Sequence, residues 1–459
     1  MNGRWDGSAH TRTRHAAPMR KNLMRITAVG AALLLAAACS KSEPDATDVK
    51  SLDGNHYTQI NLAANKDSYK AQFTYPDMVN AWGIADRPKG AGGHFWVGAG
   101  GKSFQFVGDV TKSPDAKYQK MFQDPLKVVT IPGADAVVGD DDDSEGKTTG
   151  VIFNPAPITS DIFAVHDQPV SYDGKDEKLT GSARFIFATD SGKISGWTEQ
   201  GATPGAVVRH DGPAVLEFDG TAQGMSFKGI SLSPDGTKLI AADFGSDPQV
   251  RTFDKDWKLV STTGFANPFA TGDAVDAADA SKGKKVKIGD PAPFNVATIG
   301  NRIFVTYAIT QADEKDATKI YKGEENKLDK DQEASAKGKP EKGKVAEFDA
   351  SGKLVRTLDD GGRFNAPWGV TLAPQGFGPL SGKLLVGNFG GAGHLLAFDD
   401  STGKFQDYAR DADGKPIAID GLWGLLFGNG ESLGDTDALY FTAGPKDETD
   451  GLFGTLRLK

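Results

Sequence analysis

A short apolar piece turning on glycine or asparagine recurs six times along the chain, and no other feature restricts the fold as much. It reads Trp82-Gly83-Ile84-Ala85, Thr149-Gly150-Val151-Ile152-Phe153, Lys228-Gly229-Ile230-Ser231-Leu232, Phe294-Asn295-Val296-Ala297, Trp368-Gly369-Val370-Thr371-Leu372 and Trp423-Gly424-Leu425-Leu426-Phe427. After a turn rich in Gly, Pro, Asn or Asp, each is followed by a second apolar piece, at 95–97, 184–188, 238–241, 302–306, 383–386 and 438–441. In most units a third piece alternates apolar and polar residues, as at 103–107, 249–254 and 394–399, and a fourth fits at 128–131, 259–262 and 354–358. Short runs bounded by turn chemistry are strand signals. Four antiparallel strands repeated radially make a propeller blade, so the repeat predicts an all-β, six-bladed β-propeller with four-stranded antiparallel blades.

The pivot positions Gly83, Gly150, Gly229, Asn295, Gly369 and Gly424 stand 55 to 79 residues apart. Compact propeller repeats need only about 40–50, so long loops must be inserted. Three stretches supply them: the acidic 140–145 (DDDDSE), a Lys/Ala/Asp piece at 270–287, and 312–344. The last carries nine acids and nine bases with almost no apolar residues, a pattern expected of a solvated or disordered loop. A ring must also be closed. A strand at 57–62 and the final 454–458 are expected to share one blade, which removes the free edges. The 57 glycines are nearly double the usual share of about 7% and serve as turns between these strands. Two β-sandwich domains would instead show a linker in mid-chain, and none is present.

The one long apolar run (ITAVGAALLLAAA, 26–38) follows Arg20, Lys21 and Arg25 and ends directly at the single cysteine, Cys39. At thirteen residues it is too short to span a bilayer, and its charge pattern is that of a signal peptide. Small residues before a cysteine resemble the lipobox of bacterial lipoproteins, which implies that Cys39 becomes the lipidated first residue; Ala36 stands where leucine is commonest. Ser40 resembles the outer-membrane sorting preference. The domains are then a leader at 1–38, a polar tether at 39–56 and one propeller at 57–459. Losing the leader removes six bases and one acid, which moves the net charge from -9 to -14. Such a surface repels nucleic acid and anionic lipid, so the expected partners are a membrane held through lipid at Cys39 and a protein or small-molecule ligand, with the chain a monomer.

The sequence holds no G-x-S-x-G elbow and no P-loop, and its histidines show no H-x-H or H-E-x-x-H pairing. A lone cysteine makes neither an internal disulfide nor a cysteine-based zinc site. The turn after the second strand carries Asp190, Asp243 and Asn388 and resembles NHL-type propeller repeats, where such side chains brace a tight turn. Trp82, Trp368 and Trp423 each precede a pivot glycine, as packing between blades or as aromatic contacts at a pocket mouth. If Asn80, Asn295, Asn365 and Asp420 converged on the axis, they would offer oxygen ligands to Ca2+, the candidate cofactor. That arrangement is similar to the six-bladed lactonases and paraoxonase-like hydrolases.

The segments NAPWGVTLAPQGFGPLSGKLLVGNFG, ADGKPIAIDGLWGLLFGNG and DALYFTAGPKDETDGLFGTL, with 79–84 and 184–197, resemble a bacterial family of secreted conserved hypothetical proteins, some with a PEP-CTERM tail. The chain departs from those members in ending at Lys459 without that tail. The resemblance implies fold and compartment and supplies no reaction. The expected function is a cell-envelope lipoprotein, on the outer membrane facing periplasm or exterior, with a binding or scaffold role. The alternative is a Ca2+-dependent, gluconolactonase-like hydrolase with its site at the channel mouth.

Overall fold

The computed structural model describes residues 49–133, 146–172 and 174–459. Six sheets are arranged as blades, each beginning with one of the six repeated pieces. From the innermost strand outward, blade 1 is Ala81–Ala85, Phe95–Ala99, Lys102–Phe106 and Val128–Thr130. Blade 2 is Thr148–Phe153, Phe185–Thr189, Lys193–Trp197 and Val215–Asp219. Blade 3 is Phe227–Leu232, Leu239–Asp243, Gln249–Phe253 and Leu259–Val260. Blade 4 is Pro291–Ile299, Arg302–Ala312, Gly343–Asp349 and Leu354–Thr357, and blade 5 is Pro367–Leu372, Lys383–Asn388, Leu395–Asp399 and Phe405–Tyr408. The expected six-bladed, four-stranded architecture is therefore the observed one.

Blade 6 closes the ring as expected. Its inner strands Leu422–Phe427, Ala438–Ala443 and Leu452–Leu458 come from the C-terminal end, and its fourth, Tyr57–Ala64, from the N-terminal side. Tyr57 faces Leu458 and Ala64 faces Leu452 in antiparallel register, with one irregularity between Asn61 and Ala63.

Blades bury both faces, so their second strands read as continuous apolar runs. Every residue of Phe95–Ala99, Phe185–Thr189 and Ala438–Ala443 is buried. Large side chains fill the wedges between neighbours: Trp96 of blade 1 stacks on Phe185 of blade 2 at 4.2 Å, and Phe95 meets Tyr440 of blade 6 at 4.8 Å. Near the axis the wedges narrow and the pivot residues touch the next blade. A Cβ on Gly83 would lie 2.6 Å from the Thr149 carbonyl oxygen, and one on Gly150 would lie 2.6 Å from Ile230. The pivots are glycine because inner strands approach there backbone to backbone.

Two expectations are corrected and one unforeseen element is added. The 312–344 stretch is folded: Arg302–Ala312 runs on past the blade and pairs with Ile320–Glu325, and a capped helix, Lys330–Ser335, follows. Its charges are held by backbone pairing and local ion pairs, as in Lys327–Glu325 at 2.7 Å, so poverty in apolar residues did not leave it as solvated coil. Blade 2 carries a hairpin, Ala164–Tyr172 with Lys175–Ser182, that the repeat did not reveal because its alternation is polar and broken by Pro169. Finally, the tether is fixed from Val49 onward. Leu52 N and Asn55 Nδ2 both donate to Asp407 of blade 5, and Arg410 donates to the Val49 carbonyl. The leader, Cys39 and the acidic 140–145 lie outside the described residues.

Candidate functional site

The residues before the pivots are Trp82, Thr149, Lys228, Phe294, Trp368 and Trp423, and all but Thr149 meet one another from different blades. Four are aromatic and form a plug. Trp82 stacks on Trp423 at 3.8 Å, Trp368 meets both edge-on at 6.5 and 5.9 Å, and Phe294 lies 5.8 Å from Trp423. The recurring tryptophans are therefore packing groups of the axis. Trp82 and Trp423 are fully buried. Their indoles also tie blades together, with Trp368 Nε1 donating to the Lys228 carbonyl at 2.9 Å and Trp423 Nε1 to Asn80 Oδ1 at 2.8 Å. Trp82 Nε1 has no acceptor among the described residues.

Blades 2 and 3 break this aromatic layer with a hydroxyl and an ammonium. Thr149 donates to the Phe227 carbonyl of the next blade at 2.6 Å. The Lys228 ammonium sits 4.9 Å over the Trp82 ring.

At the face where the inner strands begin, a cavity of about 890 Å³ opens. Its walls come from the blade 4 insertion (Glu324, Lys327), the turn after the second strand of blade 5 (Phe389), the start of blade 2 (Lys147) and the loops of blade 6 (Asp420, Glu448). Phe389 links cavity to plug by stacking on Trp423 at 3.6 Å. Lys327 lies 4.6 Å above the Phe389 ring.

Glu448 reaches the cavity through a rare backbone turn. Lys446, Asp447 and Glu448 have φ of 56°, 52° and 64°, a single left-handed helical turn closed by Glu448 N donating to the Gly444 carbonyl at 3.2 Å and Asp450 N to Pro445 at 3.0 Å. Left-handed geometry costs roughly 1–2 kcal/mol for each non-glycine residue. Asp450 anchors the base of the turn. It accepts from Tyr69 at 2.7 Å and pairs with Lys66 and Lys446. Burial opposes its ionisation, yet these donors together hold its carboxyl far below the ordinary range.

The electrostatics of the cavity separate its two central carboxyls. Glu448 accepts from Asn80 Nδ2 and pairs with Lys147 at 3.2 Å. Burial would raise it, but Lys147, Lys228 and Lys327 outweigh that and hold it below the usual value. Glu324 has no such pairing among the described residues; burial first and neighbouring Glu325 second push it up to about 7. Lys147 is raised, because Glu448 and Asp190 outweigh its desolvation.

The four residues expected at the channel mouth serve separate protein contacts. Asn80 bridges Trp423 and Glu448, and Asn365 bonds Leu328 of the blade 4 insertion through both its oxygen and its nitrogen, at 3.0 and 2.9 Å. Asp420 lines the cavity and accepts from Lys446 N at 2.9 Å, whereas Asn295 lies in the wall and donates to the Trp368 carbonyl at 2.9 Å. Each of the four is thus already bonded within the protein, and Lys147, Lys327 and Lys446 line the same cavity. Among the described residues, no three His, Cys, Asp or Glu side chains are grouped to hold a metal ion. The turn residues brace the ring. Asp190 accepts from Gly146 N and Lys147 N, Asp243 from Ser226 N, and Asn388 from Asn365 N, each fixing the start of its blade's inner strand.

Glu324, Lys327 and Glu448 were missed in the sequence because they sit in charge-rich stretches, Glu324 and Lys327 in the blade 4 insertion and Glu448 in a blade 6 turn. Lys228 did carry a signal, since it occupies the position taken by tryptophan in three other blades.

No protein-family model matches the chain. It is similar to uncharacterized protein R648 of Acanthamoeba polyphaga mimivirus, 25% identical over 398 residues, which cover 87% of this chain and 80% of that protein. A second protein of that virus, uncharacterized protein R640, is 27% identical over 134 residues, 29% of this chain and 22% of its own length.

Proposed function

We propose that this propeller is a binding module of the bacterial cell envelope, tethered through lipid at Cys39, whose ligand enters the axial cavity. The observation that carries the binding half is the cavity itself. Its volume of about 890 Å³ falls in the range of small-molecule sites, about 300–1,000 Å³. It has an aromatic floor at Phe389 and a few convergent charged groups, the usual make-up of such sites. A strained turn that places Glu448 in the cavity wall is a further mark of a functional site. A thermal-shift screen of small metabolites on the purified chain tests it. A saturable rise in melting temperature is expected, and it should vanish when Ala418→Trp fills the cavity; ligands that stabilise both proteins alike would overturn the reading. The anchor is tested separately: labelled palmitate should mark the wild type and leave Cys39→Ala unmarked.

A second reading, hydrolysis in the same cavity, is favoured by the split between Glu324 and Glu448. One carboxyl held low beside one pushed to about 7 is the arrangement acid–base catalysis uses. Lactone turnover that disappears in Glu448→Gln would establish it, and absence of turnover across lactones and esters would dismiss it.

A further inference from the structure

The charged side chains that line the axial cavity are matched inside the protein, with one exception. Lys147 pairs with Glu448 at 3.2 Å, Lys327 with Glu325 at 2.7 Å and Lys446 with Asp450 at 3.1 Å. Asp420 accepts from Lys446 N, and Asp329 caps the short helix by accepting from Gln332 N. Lys330 and Asp447 are exposed, so water serves them. Glu324 is the exception: it lines the cavity, is only partly exposed, and has no hydrogen bond or ion pair with a described residue.

The backbone holds it there. Glu324 lies in Ile320–Glu325, which pairs with the extended second strand of blade 4 through Glu325 opposite Thr310. On one side Gly323 N donates to the Phe244 carbonyl of blade 3 at 3.0 Å, and on the other Asn326 N donates to the Ile309 carbonyl at 2.7 Å. Among the groups that act on the Glu324 carboxyl, burial, Glu325 and Glu448 oppose its charge, whereas Lys228 and Lys327 favour it. A desolvated carboxyl without a partner is costly, and glutamine or leucine would occupy the same strand without that cost. Such a group on a cavity wall marks a binding position. What would complete it is a donor of positive charge, since Glu325 and Glu448 stand near it and the lysines are committed to other acids. A metal ion does not fit, because among the described residues no three acids or histidines are grouped to hold one.

We infer that Glu324 anchors the ligand of the axial cavity, and that this ligand is an organic amine whose ammonium donates to the Glu324 carboxylate. The inference rests on the cavity being a binding site and adds the ligand's charge and the residue that selects it. Loss of a charge-assisted hydrogen bond from such a site weakens binding by at least about tenfold. Binding must also displace the proton that Glu324 partly holds at neutral pH, its carboxyl being pushed up to about 7. From pH 6 to pH 8 the ionised share of such a group rises from about one-tenth to about nine-tenths, while an alkyl ammonium keeps its charge. Glu448 is held below its ordinary value and Lys327 above, so neither titrates in that interval.

The test is a calorimetric and thermal-shift titration of the full chain with butylamine, putrescine, benzylamine and lysine amide, each beside its fully N-acetylated counterpart. At least one amine should raise the wild-type melting temperature saturably while its acetylated form does not, with affinity rising about tenfold from pH 6 to pH 8 and protons released on binding. Glu324→Gln should weaken that amine by at least about tenfold and flatten its pH profile. Free Glu324→Gln should also melt above free wild type at pH 8, because a raised carboxyl loses its contribution to stability as pH passes through its folded value. Should Glu324→Gln not fold, Glu324→Ser provides the same comparison. An amine bound equally by wild type and the neutral variants, or an acetylated form as effective as its amine, overturns the anchor. No response to any of the amines overturns it as well. In either case an uncharged or anionic compound that binds wild type and is excluded by Ala418→Trp would keep the cavity a binding site, so the two readings fail separately.

Discussion

Asn295 stands where the other five blades carry a pivot glycine, and its side chain explains the exception. It fills the narrow gap beside Gly229 and donates to the Trp368 carbonyl of the next blade at 2.9 Å, a cross-blade bond that glycine cannot make. Asn295→Ala should cost about 1–3 kcal/mol of unfolding free energy by denaturant titration, and Asn295→Asp should not rescue it, because a carboxylate cannot donate. Asp190 shows the opposite balance. Burial pushes its carboxyl up to about 6, against the pull of Lys228 and two backbone N–H groups. A raised carboxyl binds its proton more tightly folded than unfolded, so its contribution is fully present below about pH 4 and is lost as pH rises through about 6. Asn388 already performs the same bracing in blade 5 without a charge. Asp190→Asn should therefore be more stable than wild type at pH 7, by about 1–3 kcal/mol, with the gap closing below pH 4; an equal gap at both pH values would refute the assignment.

At the scale of elements, the turn Lys446–Glu448 and the blade 4 insertion build most of what surrounds the plug. The turn stores strain that its anchor at Asp450 must offset. Asp447 is exposed and left-handed, so Asp447→Gly should raise the unfolding midpoint, with a gain of about 0.5–1 kcal/mol once the extra freedom of glycine in the unfolded chain is subtracted. A decrease would show that the conformation is not strained. The inner strands were readable because their period is imposed by the axis: a large group, then a residue small enough for the neighbouring backbone. The blade 4 insertion was not, because backbone pairing and ion pairs, rather than apolar burial, hold it. Composition therefore reads it as coil, although it supplies Glu324 and Lys327 to the cavity. Blade 2 hides its hairpin for a related reason, since one polar face leaves no run to notice.

For the whole molecule, six blades were legible from repetition alone, and so was the closure, because a strand with no blade of its own lies at each end. The site was legible only in part. Aromatic residues before the pivots marked the axis, but which loops fold over it depends on contacts between residues far apart in sequence, such as Lys147 with Glu448 and Asn365 with Leu328. The closure can be tested directly. Deleting residues 57–64 should leave Leu452–Leu458 as an open edge and raise self-association above that of the full chain, seen by light scattering.

The closing blade also sets a clock on biosynthesis. Tyr57–Ala64 is made before every other described strand, yet its partner strand, Leu452–Leu458, is made after all of them. At about 5–20 residues per second, tens of seconds separate the two. Throughout that interval an eight-residue strand with its own buried side chains is paired only at its end, Ala63 with Phe73 and Ala64 with Thr74. Blades 1 to 5 contain only strands from their own stretch of chain and can form as they appear, but the ring cannot lock until Leu452–Leu458 emerges. Until then, the open edge of Tyr57–Ala64 can pair with the same strand of a second chain.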